Sequence, residues 1–308
     1  MSGQRGLEVL TAGDLFAELV MSGFTSWPPS PGEEVFAEEF CREVGGGAAI
    51  TACGLAKLGV KVGLVGAVGA ADGEWMIERL ESQGVNTNAM QRSAQEPTAI
   101  TVSVSSSTER TFLTYMGANR ELSALLKNAG STGQFRNARH VHLGCAPDPA
   151  GVGELFQAIA EAGCTLSVDV GWHPEWLADK RCREALRRVD VFLPNEREAA
   201  HMTGEREPSR ILEAFRKMGL KIVALKLGAK GAALLWKEEI LFCEPIAVTP
   251  IDTTGAGDCF DAGFLYAWLR GDDARTCLRA GAICGALSTR AFGGLTGFPT
   301  LAEMEAVR

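Results

Sequence analysis

The chain has 308 residues, 46% of them hydrophobic, enough to bury a sizeable core as one large α/β domain or two modest ones. A formal net charge of −8 excludes a general nucleic-acid or membrane-surface binder, because phosphate contacts need clustered Lys and Arg. The nine cysteines are odd in number and scattered through apolar segments, with no CxxC or Cys/His cluster at metal spacing, which predicts reduced core thiols in a cytoplasmic protein.

Residues 1–6 lack an apolar signal core, and no segment approaches about 18 uninterrupted apolar residues, so neither export nor a membrane span is expected. Residues 7–12 read as an opening strand. Residues 13–19 continue it, which places Asp14, Phe16 and Glu18 on one face at period two, either as a solvated edge or as a binding face. Residues 22–31, with Trp27 and three prolines, exclude regular helix and predict a loop or hairpin tip, and residues 33–41 continue the excursion. A small sheet or lid outside the main fold accounts for it. Residues 45–59 form a glycine-rich lead-in to a helix of small side chains, which admits close approach by a ligand or by another helix. No GKS or GKT follows, so it is not a Walker loop.

Residues 61–67 predict a buried strand and 72–83 a helix. Residues 98–105 and 110–116 flank the polar tetrapeptide 106–109 as a hairpin that extends the small sheet, and 121–127 predict a short helix. Strands at 140–144, 165–170, 189–194 and 220–227 then alternate with helices at 150–162, 176–188, 196–203 and 208–218. Such alternation implies right-handed βαβ crossovers and a mainly parallel sheet covered on both faces. Residues 231–236 and 240–243 predict an antiparallel pair, and 256–269 and 274–288 the last long helices. The closing helix, 300–307, has Thr300 as N-cap and Glu303 at the capping-box position.

Between that pair and the last long helices lies Asp252-Thr253-Thr254-Gly255-Ala256-Gly257-Asp258, a tight turn feeding a helix. Its small residues let backbone approach a ligand, and the helix start aims N–H groups and a partial positive charge at an anion. A carboxylate there would be repelled by that anion unless it had chemistry to perform. Asp258 is therefore read as a general base beside an anion hole, against the alternative of a helix start with an Asp cap.

With the glycine-rich helix at 45–59, the run Asn195-Glu196-Arg197-Glu198 after a strand, and 252–258 opening a late helix, the chain resembles the ribokinase-like (PfkB) carbohydrate kinases over nearly its whole length. The resemblance implies a ribokinase-like three-layer α/β/α fold, with a mainly parallel central sheet in a single domain, 1–308. It also implies a discontinuous β lid at about 14–42 and 97–117. The implied activity transfers the γ-phosphoryl group of ATP to a hydroxyl of a small sugar or sugar acid. Asp258 would be the base, and the backbone of Gly255, Ala256 and Gly257, with Asp258, the anion hole. Asn195 and Glu198 would organise Mg²⁺ through water and phosphate, and Lys226, Gly228 and Gly231 belong to a nucleotide-side loop whose competing reading is an ordinary turn. Asp252 and Thr254, with oxygens from 291–294, match a monovalent-cation site for K⁺. Asp14, Glu18, Gly45, Gly46 and Gly47 would face the substrate, while Asp169, Trp172 and His173 lie where relatives line the mouth.

The sequence departs from the family in carrying Ile50 where Asn is common, Gly47 where a polar residue is frequent, and Glu18 in place of an Asp. Alternative readings are a nucleoside kinase, with Phe16 or Trp27 stacking on a base, and a non-catalytic sugar or nucleotide sensor. An exposed hairpin edge also predicts a homodimer through the lid.

Overall fold

In the computed structural model, which describes residues 6–24, 28–105 and 110–307, the most buried runs are short and rich in Val and Leu, as strands covered on both faces require. The first half carries β1 (Val9–Gly13), β2 (Phe16–Ser22), β3 (Glu39–Gly45), α1 (Gly47–Lys57), β4 (Val62–Val65), β5 (Ala67–Gly69) and α2 (Glu74–Ser82). It continues through β6 (Gln91–Ser93), β7 (Ile100–Ser105), β8 (Arg110–Tyr115) and α3 (Leu122–Ser131). Strand and helix then alternate as β9 (His140–Gly144), α4 (Val152–Glu161), β10 (Thr165–Val168), α5 (Pro174–Ala178), α6 (Lys180–Ala185), β11 (Val191–Phe192), α7 (Glu196–Thr203), α8 (Pro208–Lys217) and β12 (Ile222–Lys226). The chain closes with β13 (Ala232–Trp236), β14 (Glu239–Cys243), α9 (Ala256–Leu269), α10 (Ala274–Ser288) and α11 (Leu301–Val307).

The main sheet has the order β14-β13-β12-β11-β10-β9-β1-β4. Its strands run parallel from β12 to β4, and only β13 and β14 pair antiparallel. Because β1 lies between β4 and β9, the chain reverses direction across the sheet there, which opens a crevice at the carboxyl ends of the strands. Two apolar layers cover the two faces. One joins α1, α2, α9 and α10 through residues such as Leu55, Leu80 and Phe264, and the other joins α3 to α8 through Phe135, Phe156 and Phe215. Each such fully buried side chain contributes about 1.5–3 kcal/mol by leaving water.

Outside this frame, β3-β2-β7-β8 form a separate sheet in which β2 pairs parallel with β7 and antiparallel with β3. A two-stranded parallel ribbon, β5 with β6, has no counterpart among the elements expected from the sequence. Trp27 and the tetrapeptide 106–109 lie outside the described residues.

Two sequence expectations need correction. The opening strand does not run through residue 19: it ends at Gly13, and Asp14 and Glu18 do not share a strand face. The Asn119 side chain takes both polar groups of Leu15, accepting from its N–H at 3.0 Å and donating to its carbonyl at 2.9 Å, so the backbone turns from one sheet into the other. The helix expected at 176–188 is broken at Asp179, whose extended backbone ends α5 and whose carboxylate accepts from the Arg181 N–H to cap α6. The closing capping box holds, with Glu303 N–H donating to Thr300 Oγ1 at 3.3 Å and Thr300 N–H to Glu303 Oε2 at 2.8 Å. All nine cysteines are free thiols, Cys41, Cys164 and Cys243 half-buried and the others buried. Among the described residues no helix is long and apolar enough to cross a membrane.

Candidate active site

Helix α9 begins at a left-handed residue, Gly255, with φ 70°. A Cβ there would stand 2.8 Å from the Gly294 Cα and 2.9 Å from Ile50 Cδ1, so only glycine fits. The turn before it is fastened by the buried Asp252 carboxylate. One oxygen accepts from the Thr254 N–H (2.9 Å) and hydroxyl (2.8 Å), and the other accepts from the Gly293 N–H (2.9 Å). The loop at 291–294 is thereby tied to the first turn of α9, where the Ala256 N–H donates to the Thr253 carbonyl at 3.3 Å and the N–H groups of Gly257 and Asp258 follow at the open helix start.

Asp258 projects from that first turn toward the start of α1. A Cβ on Gly47 would lie 2.8 Å from Asp258 Oδ1, which is the physical reason a side chain is absent at position 47. Asp258 is half-buried beside the cavity, and desolvation, reinforced by the charge of Asp169, raises its carboxyl to a pKa of about 7 while Lys226 pulls the other way.

Lys226, the last residue of β12, sends its ammonium to Asp169 Oδ2 at 2.6 Å and Asp261 Oδ1 at 3.0 Å. Burial alone would discharge this lysine, yet the facing carboxylates hold it protonated. Burial likewise works to raise Asp169, but the ammonium overrides it and keeps that carboxyl below its usual range. Asp261, fully buried one turn beyond Asp258, is pushed well above the carboxylate range by burial, with Lys226 opposing. Asp261 is not among the residues expected from the sequence. Its one signal there is an acidic residue set in the apolar run Phe260 to Phe264, three positions after the proposed base.

Asn195 and Glu198 form a complete capping box on α7: the Asn195 N–H donates to Glu198 Oε2 at 2.9 Å, and the Glu198 N–H to Asn195 Oδ1 at 3.0 Å. Glu198 is 2% exposed, and desolvation together with the Asp169 charge lifts it to about 7. The loop after β12, through Gly228 and Gly231, is pinned to the start of α7 by Lys230 and Glu196 at 2.7 Å. A cavity of about 740 Å³ brings together Asp169, Asn195, Glu198, Lys226, Gly228, Gly231, Ala256, Gly257 and Asp258. Its far wall is apolar, built from Ile246, Val248 and Ala282.

The residues read as substrate-facing do not line this cavity; they stand on the other side of Asp258. Gly45 ends β3 opposite Phe16, and a Cβ there would meet Glu18 Oε2 at 2.9 Å. Glu18 is 5% exposed, and its charge is one of those raising Asp258. Directly across the strand pair stands Glu43, neutralised by Arg79 Nε at 2.9 Å. Gly46 caps α1 against the Asp14 carbonyl. The Asp14 carboxyl is raised by burial to about 6. Trp172 lies under the Arg197 guanidinium at 3.6 Å, and His173 is half-exposed; neither lines the cavity.

An anion-accepting helix start with an ionisable carboxylate between a nucleotide-sized cavity and the acidic side chains of Asp14 and Glu18 suits an enzyme that moves a phosphoryl group between two bound molecules. Comparison with known proteins agrees. The description "pfkB family carbohydrate kinase" matches residues 18–301. The chain is 29% identical over 276 residues to 2-dehydro-3-deoxygluconokinase of Bacillus subtilis, covering 85% of each chain. It is 34% identical over 265 residues to the ATP-dependent ribose-1-phosphate kinase of Halopiger xanaduensis, again covering 85% of each. Among solved structures, Arabidopsis thaliana ribokinase complexed with ribose and ATP superposes with a TM-score of 0.82 over 98% of both chains at 26% identity. The protein belongs to the pfkB family of carbohydrate kinases.

Proposed function

We propose that the protein transfers the γ-phosphoryl group of ATP to a hydroxyl of a small sugar or sugar acid, with Asp258 as the general base. The observation that carries this reading is the position of the Asp258 carboxylate. It stands in the first turn of α9, lines the cavity, and faces Gly47 at the start of α1. The hydroxyl, held among Asp14, Glu18 and the backbone of Gly45, Gly46 and Gly47, gives its proton to Asp258 as it attacks. A base poised near 7 is matched to that task at neutral pH. Backbone N–H groups at Gly255, Ala256, Gly257 and Asp258 meet the negative charge that spreads over the transferring group, the larger contribution in such reactions.

The phosphates of ATP lie toward Lys226, Gly228 and Gly231, and the base against the apolar wall. Magnesium fits the donor set as an ion held mostly by water and phosphate, with Glu198 and Asn195 behind its water shell. When bound, it neutralises phosphate charge. Potassium would be held by Asp252 and Thr254 with oxygens of 291–294, a role these residues combine with fastening the turn. Glu198→Gln, which preserves an acceptor for the Asn195 N–H, is expected to raise the Mg²⁺ concentration for half-maximal rate by about 10–100-fold while leaving KM for the sugar within about threefold. A magnesium titration of the variant checks this, and an unchanged midpoint would remove Glu198 from the magnesium shell.

The substrate class is tested by following ADP release over a panel of sugars, sugar acids and nucleosides. Preferential turnover of a nucleoside would replace the sugar reading, and binding without ADP release across the panel would favour a sensor.

We further propose that the protein works in the cytoplasm as one kinase domain, 1–308, and that its second sheet is a lid that pairs two copies. Phe40 (62% exposed), Phe112 (52%) and Leu113 (58%) lie on that sheet with nothing over them among the described residues, and β8 is its edge. Light scattering at micromolar concentration is expected to give a dimer mass, lost in Phe112→Asp. A monomeric wild-type protein rules the pairing out.

A further inference from the structure

The Asp169, Asp258 and Asp261 carboxylates approach within 4.8 Å of one another, on an enzyme that must also accept the negative charge of ATP. Three carboxylates so close cannot all ionise unless a cation stands among them. Lys226 supplies it from within the chain. Its ammonium bridges Asp169 at the end of the sheet and Asp261 on α9, and a Cβ at Gly257 would stand 3.5 Å from Nζ, so the charge sits beside the backbone that opens the helix. Asp261 is 0% exposed, is held by Lys226 through Oδ1, and shares a side-chain hydrogen bond with the Asp169 carboxyl.

We infer that Lys226, clamped by Asp169 and Asp261, is a positioning residue for Asp258, keeping the base ionised at neutral pH and ready to take a proton. The inference rests on the proposed role of Asp258. The charged groups facing Asp258 are Asp169 after β10, Lys226 on β12, Glu198 on α7, Glu18 on β2 and Asp261 on α9 itself. Four carboxylates thus surround the base, and Lys226 is the cation among these groups. Asp258 lies one helical turn before Asp261, so the ammonium that fixes Asp261 also fixes how α9 presents Asp258 toward Gly47.

Two measurements test this. In kinetics, Lys226→Met is expected to move the acid limb of kcat/KM upward by about one pH unit or more, Lys226→Arg to restore it, and Asp169→Asn, which removes the ionised carboxylate that raises Asp258, to move it downward. A lysine that only binds ATP would instead raise KM for ATP and leave the limb in place, which overturns the inference. The second measurement needs no substrate. The melting-temperature difference between each background and its Asp258→Asn partner, followed from about pH 4 to about pH 10, reports the ionisation of Asp258. The protein with Asp258 loses stability relative to its partner as pH rises, until the carboxyl is ionised in the folded state, and the difference is constant above that point. The levelling point is expected near neutrality in the wild type, higher in Lys226→Met and lower in Asp169→Asn. Identical levelling points in all three overturn the coupling. Should Lys226→Met fail to fold, Lys226→Gln, read in the same two measurements, decides it. If nothing on the panel is phosphorylated, the proposed reaction falls, while the melting series still decides whether Lys226 controls the ionisation of Asp258.

Discussion

Asp258→Asn is expected to lower kcat about 10²–10⁴-fold while making the protein more stable at pH 8. The first effect is the loss of a positioned base whose substitute cannot accept the proton. Residual turnover is expected because the helix start and bound phosphates still align the reactants. The second effect follows from the direction in which the fold shifts this carboxyl. Burial first, then Asp169, raises it from 3.8 to about 7, so the folded state holds the proton more tightly than the unfolded chain does. Its stabilising contribution is fully present below about pH 4, is lost as pH rises toward 7, and is absent above. A neutral asparagine escapes that loss, and the gain at pH 8 is of order 2–4 kcal/mol. A melting curve of the variant at pH 8 and at pH 4 checks the sign, since the gain must shrink in acid. An equal difference from wild type at both pH values would mean that the base is solvated in the folded protein, and unchanged turnover would remove Asp258 from the chemistry.

The same competition between stability and chemistry explains which parts of the site are legible in the sequence. The turn at 252–258 can be read because its function needs residue types that a plain helix start does not, glycines for close approach and a carboxylate facing an anion. The alternating strands and helices from residue 140 onward are legible because two-sided burial imposes short, near-continuous apolar runs at regular spacing. The placement of Asp14 is not. Period two puts it on a strand with Glu18, but the tertiary contact from Asn119, more than a hundred positions away, decides where the strand ends. Lys226 reads as a loop residue near phosphate, since nothing local says that β12 ends opposite both Asp169 and Asp261. An ion network assembled from β10, β12 and α9 has no sequence spacing of its own; its one local trace is Asp261 within an apolar helix. The unusual Gly47 reads as lost substrate polarity. In the fold it has a second meaning, the room that the base requires.

That room makes position 47 sensitive to a single methyl group. Gly47→Ala adds a single methyl group to the first residue of α1, where alanine is a good helix former and, on propensity alone, would stabilise by up to about 1 kcal/mol. The added Cβ, however, would stand 2.8 Å from Asp258 Oδ1 and 3.5 Å from the Gly144 carbonyl oxygen. The carbonyl contact is tolerable. The carboxylate contact is not, and Asp258 must rotate or α9 must retreat by several tenths of an ångström. α9 cannot move easily, because Gly255 at its start is pressed against Gly294 and Ile50, and Asp261 one turn later is held by Lys226. The carboxylate therefore yields and turns away from Gly47. Misplacement of a reacting group on this scale costs about 10²-fold in rate. The expected result is a kcat near that of Asp258→Asn with ATP binding nearly intact, since the cavity wall opposite Gly47 is untouched, and with a melting temperature within a few degrees of wild type. Steady-state kinetics combined with calorimetric titration of a nonhydrolysable ATP analogue separates these quantities. A variant that keeps its kcat would mean that Asp258 does not work from the side facing Gly47, and the direction assigned to the whole site, with ATP on one side of the base and the alcohol on the other, would have to be reversed.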